Sequence, residues 1–206
     1  GPTVIGQADW SRIMPLDRQD EPSDAQLVAS SLAQDQEAFG QLIDRHAAAI
    51  VNLGYRMVGN RAEAEDLAQE TFLAAYKALS TFRADSKFST WLYRIAANKC
   101  KDWLRVKRPG EGQYDLDADE SLDLYVTEDR TPELLLSQQQ VAEELERAIQ
   151  RLPPLYREAF LLKHVEGLSY EEMEEILGIN GDTLKMRVYK GRVQLSRELA
   201  ALNQMR

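Results

Sequence analysis

The chain has 206 residues, 44% of them hydrophobic and 29% charged, with a net charge of −9 at neutral pH. That length accommodates one large domain or two small ones, and no apolar run approaches the roughly 20 residues of a membrane helix, so no membrane insertion is expected. A lone Cys100 rules out an internal disulfide, and with only His46 and His164 beside it no zinc-ligand set can be assembled, so neither metal nor cofactor is expected.

No run of alternating β-branched and polar residues suggests a strand, and the expected fold is all-α. Residues 1–22 lack clear periodicity and read as a flexible segment, with Gly1-Pro2 resembling a tag remnant and no signal-peptide pattern; a cytoplasmic location is the expectation. Ser23 and Gln26 form a capping-box pattern for a helix to about Ala33, and Asp35 caps a second that ends at Gly59-Asn60. In that second helix Phe39, Leu42, Ile43, Ile50, Leu53 and Met57 share a face, and His46, in register with them, reads as a packing residue rather than a catalyst.

A third helix is expected from about Arg61 to Ser80. Ala64, Leu67, Ala68, Thr71, Ala75 and Leu79 give it a small-residue packing face. A separate stripe of Asp66, Gln69, Glu70, Leu73 and Lys77 has the acidic and amide character, with one apolar residue, that suits docking on another protein's basic helix; a plain solvent face is the alternative.

Between Phe82 and Arg108 eight cations face two carboxylates, a local charge of +6 within an acidic chain. Here a loop containing Arg83, Lys87, Phe88, Ser89 and Thr90 runs into a helix on which Trp91, Arg94, Asn98, Lys101 and Arg105 fall along one stripe, with Leu92, Ile95, Ala96 and Trp103 largely elsewhere. The cations suit phosphates and Asn98 a base edge, while Trp91 with Phe88 offers flat apolar surface for an unstacked base. The alternative is an amphipathic helix with a solvated basic face.

From residue 109 to 132 eight carboxylates oppose Arg130 alone, a charge of −7, and Pro109, Gly110 and Gly112 interrupt any periodicity; this reads as a flexible acidic linker. The expected organisation is therefore two small helical domains, residues 23–108 and 133–206, joined by that linker. Thr131-Pro132 has the pattern of a helix start, and the helix it opens carries Val141, Leu145, Ala148, Ile149 and Leu152 until Pro153-Pro154 stops it. After a shorter helix from about Leu155 to Val165, Ser169 and Glu172 form a second capping box, with Leu168 positioned to staple onto Met173.

That helix reaches Leu177-Gly178, turns through Ile179-Asn180-Gly181, and restarts with Asp182 or Thr183 as cap, a helix-turn-helix pattern. In the last helix Leu184, Val188, Gly191 and Leu195 face inward. Lys185, Met186, Tyr189, Lys190 and Arg192 project, as a major-groove helix requires, and from Thr183 to the end six cations oppose Glu198.

The stretches Ala64 to Phe72, Phe82 to Asn98 and Leu168 to Arg192, in this order and with an acidic linker between, resemble a bacterial sigma factor of the extracytoplasmic-function group. The resemblance covers about residues 24–200. It implies a first domain that binds the clamp helices of the polymerase β′ subunit through Asp66, Gln69, Glu70 and Leu73, and the minus-ten element through Arg83, Lys87, Phe88, Ser89, Thr90, Trp91, Arg94, Asn98, Lys101 and Arg105. It implies a second domain that meets the β flap and reads the minus-thirty-five element through Lys163, Thr183, Lys185, Met186, Arg187, Tyr189, Lys190 and Arg192. Core RNA polymerase, promoter DNA and an inhibitory anti-sigma protein are the partners it implies. Glu174, Asp182 and Met186 depart from the residues usual in that family.

No phosphate-binding glycine loop, nucleophile elbow or metal cluster supports an enzyme reading. A self-sufficient helix-turn-helix regulator is the other candidate, but it leaves the Gln69-Glu70 and Phe82 to Asn98 stripes without a role.

Overall fold

The computed structural model describes residues 21–110 and 137–205, which form helices and turns only. Most of the expected acidic linker, and the expected helix start at Thr131-Pro132, lie outside the described residues.

Local hydrogen bonding explains where the helices begin. Ser23 Oγ accepts from Gln26 N at 3.2 Å while Gln26 Oε1 accepts from Ser23 N at 2.8 Å, closing the capping box of α1 (Asp24–Leu32). Asp35 accepts from the amides of Glu37 and Ala38 and opens α2 (Gln36–Val58), which ends on Gly59 in the left-handed region at φ 76°. Asn60 caps α3 (Arg61–Ala78), and a 3-10 turn, Leu79–Thr81, follows.

The helix α4 (Phe88–Lys107) starts earlier than the sequence suggests, so that Ser89 and Thr90 belong to its first turn rather than to the preceding loop. In the second half, Ser137 and Gln140 form a capping box for α5 (Gln138–Arg151). Pro154 occupies the first position of α6 (Pro154–Phe160), where its missing N–H costs nothing. A π-helical turn, Leu161–Val165, continues it, with Glu166 N donating to Leu161 O at 2.9 Å.

Ser169 caps α7 (Tyr170–Leu177), and Gly178 ends it at φ 64°. The final helix, α8 (Gly181–Gln204), is capped by Asn180, whose side chain accepts from Asp182 N at 2.8 Å. The cap thus falls two residues before Asp182. Asn180 supplies the short acceptor, and Gly181 makes room behind it, since a β-carbon there would meet the Glu174 carboxylate.

The hairpin of α2 and α3 is the base on which the first domain is built. Its close approach depends on Gly54, where a β-carbon would lie 3.3 Å from Ala64 Cβ. Leu42, Leu53, Met57, Leu67 and Phe72 are buried between these helices, α1 and α4, and each such side chain contributes roughly 1.5–3 kcal/mol on leaving water. In the second domain Gly191 of α8 faces α6 less tightly, since a β-carbon there would lie 3.5 Å from Tyr156 O and 3.6 Å from Phe160 Cβ, ordinary contact distances.

The two halves share one continuous core, and their junction is polar at its centre. An α-helix leaves its last four carbonyls without helical donors. At the end of α2 those carbonyls are met by side chains. Arg157 donates to Met57 O, Gln150 to Tyr55 O and Arg56 O, and Arg108 to Val58 O at 3.2 Å. Arg157, 2% exposed, also donates to Gln150 O at 2.7 Å and Leu152 O at 2.9 Å, so one guanidinium ties the α5–α6 corner to α2. Arg56 Nε lies 3.1 Å from Glu146 Oε1 beside it.

Gly54→Val should lower stability by about 1–3 kcal/mol, because the added methyl groups force α2 and α3 apart. Urea unfolding followed by circular dichroism measures this, and an unchanged midpoint would show the hairpin to be loosely packed.

Candidate nucleic-acid and polymerase-binding surfaces

Three surfaces carry the residues singled out by sequence. On α3, Asp66, Gln69, Glu70, Leu73 and Lys77 are all exposed, because the small-residue face opposite them takes the packing. Leu73 is 55% exposed. With Gln69 it borders an apolar groove of about 550 Å³ that Phe39, Ile43, Phe72 and Tyr76 also line. Phe39 and Tyr76 meet edge to face at 5.0 Å there. Glu70 has Lys99 of α4 at 3.9 Å.

The second surface is α4 and the loop before it. Arg83, Lys87, Arg94, Asn98 and Arg105 are exposed, and Ser89 and Trp91 half-buried. Phe88 stands differently from expectation. At 3% exposure it packs beneath the surface against His46 (5.4 Å), Phe82 (5.8 Å) and Trp91 (5.8 Å), so it props up Trp91 instead of offering a face of its own. His46, as expected, is a packing residue; its ring is held by Asp24 Oδ2 at 2.9 Å.

The other side of α4 is turned to the second domain. Thr90, 3% exposed, donates to Glu172 Oε2 at 3.2 Å; Tyr93 donates to Glu166 Oε2 at 2.7 Å; Lys101 Nζ lies 3.3 Å from Glu158 Oε1. Helical periodicity placed Lys101 among outward-facing residues and Thr90 was read as part of the preceding loop, and neither reading could reveal a neighbour more than fifty positions away. Burial pushes the Glu158 carboxyl above its ordinary range, with Lys101 and then Arg187 opposing the shift. Burial likewise raises the Tyr93 phenol, helped by its bond to Glu166, and pushes the Cys100 thiol up to about 12 with a smaller contribution from Glu158.

The third surface combines α7, α8 and the π-helical turn. Thr183, Lys185, Met186, Tyr189 and Arg192 are exposed, opposite buried Leu184, Val188 and Leu195. Lys190 lies with its ammonium 5.9 Å from the Tyr156 ring. Arg187 is only half-exposed; burial lowers its pKa, with Glu158 and then Tyr156 opposing the shift. Lys163 donates to Leu168 O at 3.2 Å, and its ammonium sits 4.5 Å from the Tyr170 ring, with Lys185 at 5.6 Å from the same ring. Tyr170 thus gathers two cations from different elements by cation–π attraction. Sequence reasoning read it only as part of a capping segment; its position one residue after the Ser169 cap was the available signal. The concentration of positive charge registers on His164, held below its ordinary pKa by burial and then by Arg192 and Lys163.

Residues 42–109 match the family model for sigma-70 region 2, and residues 136–195 match that for sigma-70 region 4. The ECF RNA polymerase sigma factor SigW of Bacillus subtilis is 40% identical over 175 residues, covering 82% of this chain and 92% of SigW. Among solved structures, CnrH in complex with the cytosolic domain of CnrY superposes with a TM-score of 0.64 at 28% identity, covering 86% of this chain and 97% of CnrH. The sigma factor RpoE in complex with the anti-sigma factor NepR from Bartonella quintana gives 0.59 at 28% identity, covering 79% and 96%. The chain belongs to the extracytoplasmic-function sigma factors of the sigma-70 family, whose members are transcription initiation factors.

The raised Glu158 carboxyl gives a pH test with a definite sign. A carboxyl whose folded pKa exceeds its unfolded value stabilises the fold when protonated, and that contribution is lost as pH rises from the ordinary carboxylate range through the raised value. The unfolding free energy of the native chain minus that of Glu158→Gln should therefore fall with increasing pH across that window. Paired urea titrations measure it; a difference that grows with pH would mean that Lys101 outweighs burial.

Proposed function

We propose that this chain directs core RNA polymerase to promoters through three surfaces with separate tasks. Asp66, Gln69, Glu70 and Leu73 dock on the clamp helices of the β′ subunit, the exposed leucine beside its apolar groove supplying the contact and the acidic and amide groups its polarity. Arg83, Lys87, Arg94, Asn98 and Arg105, with Trp91 seated on Phe88, hold the minus-ten element and an unstacked base. Unstacking costs a few kcal/mol per base, which aromatic stacking at about 1–3 kcal/mol per base and the phosphate contacts offset, so opening draws on polymerase binding as well.

Lys163, Lys185, Met186, Tyr189, Lys190 and Arg192, with Tyr170 between the first two, meet the minus-thirty-five element, while the second domain also contacts the β flap. Residues 23–108 and 133–206 are the two working domains in this reading. The chain carries no catalysis of its own, and the nucleotide chemistry is the polymerase's. It acts in the cytoplasm, where polymerase and promoters are, and among the described residues no helix is long and apolar enough to cross a membrane. Control by an anti-sigma protein follows from the likeness to sigma factors solved with such inhibitors.

The observation that carries the reading is the coexistence of an exposed acidic-amide stripe with Leu73 and two basic faces on one chain. Run-off transcription by bacterial core polymerase, with and without the chain, on fragments of its source genome tests it. New starts sharing two motifs are expected only when the chain is present. No new starts, together with tight binding of the chain alone to duplex DNA, would instead make it a free-standing regulator.

Replacing Gln69 and Glu70 with lysine should abolish core polymerase binding in a pull-down while leaving the circular dichroism spectrum intact. Alanine at Lys185 and Lys190 should weaken minus-thirty-five recognition by about 1–3 kcal/mol if those contacts reach base edges, read as a drop in transcription from wild-type but not minus-thirty-five-mutant promoters.

A further inference from the structure

His46 packs inside the first domain, yet its polarity exceeds what packing requires. It stands in register with Phe39, Leu42, Ile43 and Ile50 on α2, where an apolar side chain would serve. Its side chain is only 14% exposed, and a covered polar group is costly unless it is hydrogen-bonded. Asp24 supplies the partner from the first turn of α1. Its Oδ2 lies 2.9 Å from His46 Nε2, while its Oδ1 accepts from Arg45 Nη1 at 2.8 Å. Arg45 Nη2 in turn donates to Pro22 O at 2.9 Å, so the carboxylate itself is held in place.

What this pair controls lies beyond the imidazole ring. His46 meets Phe88 at 5.4 Å, and Phe88 belongs to a closed triangle of rings: Phe82–Phe88 at 5.8 Å, Phe82–Trp91 at 5.2 Å and Phe88–Trp91 at 5.8 Å. Phe82 and Phe88 bracket residues 83–87, the loop on which Arg83 and Lys87 are exposed. The hydrogen bond from Ser86 N to Arg83 O, at 3.4 Å, stays inside that loop, so it is the ring contact of Phe82 with Phe88 that joins the two ends. An imidazole turns within a broad range about its outer torsion, and the bond to Asp24 fixes its plane against Phe88.

Resting on the capture of an unstacked base by this loop and Trp91, we propose that Asp24 and His46 are the positioning residues of that site. By fixing Phe88 they set the separation of the loop ends and the tilt of Trp91, and with them the space in which the base is held. Neither residue touches DNA in this arrangement; both act through Phe88. A platform already in its binding geometry spares the ordering that a loose one costs when the base arrives, and capture is stronger for it.

Abasic substitution separates this role from mere support of the fold. A single strand enriched from a random pool on the native chain bound to core polymerase serves as the probe. An abasic residue moved along it finds the position where loss of the base costs most affinity. His46→Ala in the same complex should weaken binding of the intact strand roughly tenfold more than binding of the strand abasic at that position, a coupling of the size that contacting groups show. Asp24→Ala should give the same base-dependent loss and add little to it in the double variant. Asp24→Asn, which keeps both an oxygen and an amide for the imidazole, should hold base-dependent binding within about twofold of native. Each variant is judged by its own ratio of intact to abasic affinity, so any misfolded fraction cancels.

A ratio unchanged by His46→Ala, or lowered as far by Asp24→Asn as by Asp24→Ala, would overturn the proposal while leaving base capture standing. A native complex that enriches no strand, or whose strand is indifferent to abasic replacement at every position, would overturn base capture itself and the positioning role with it.

Discussion

The carbonyl end of α2 is the constraint around which the two halves are arranged. A helix terminus carries partial negative charge and acceptors without helical donors, and burying it requires donors from elsewhere. Gly59, left-handed at φ 76°, turns the chain away and returns one N–H to Tyr55 O, but the remaining carbonyls need side chains. Arg157 meets this demand with a planar, permanently charged donor set that also fixes the α5–α6 corner through Gln150 O and Leu152 O. Once that corner is placed, the start of α7 comes to rest on α4, and the positions of Glu158, Glu166 and Glu172 follow.

This placement changes how the chain's acidity is distributed in space. The net charge of −9 divides along the sequence into basic and acidic segments. In three dimensions a further division runs across α4 itself. One side presents Arg94, Asn98 and Arg105 to solvent, and the other places Lys101 and Tyr93 against carboxylates from the second domain. The burial that shifts Glu158 upward is therefore a property of the junction.

The features legible in the sequence were those decided within a few residues. Ser23, Asp35 and Ser169 cap helices where their spacing to Gln26, Ala38 and Glu172 indicates, and the periodicity of Leu184, Val188, Gly191 and Leu195 gives the buried face of α8. The α3 stripe was readable for the same reason, as the complement of a small-residue packing face. What periodicity could not supply was the identity of distant neighbours. Phe88 looked like a surface aromatic because its partners His46 and Phe82 come from other elements; Thr90 and Lys101 looked free because Glu172 and Glu158 lie far along the chain. The cap of α8 moved to Asn180 through a local competition among three short polar residues, which spacing alone leaves open.

The covalent connection between the halves gives the α2 docking site a thermodynamic weight that its size would not. Two modules of one chain meet at an effective concentration set by their connection, so a contact too weak to hold separate domains together can dominate within one chain. A partner that needs the domains apart binds with an affinity multiplied by the fraction of open molecules. At a closed-to-open ratio of about 100, that is a weakening of about a hundredfold. A partner that recognises the packed arrangement pays no such tax, and the chain's choice between activator and inhibitor is thereby biased before either has made a contact.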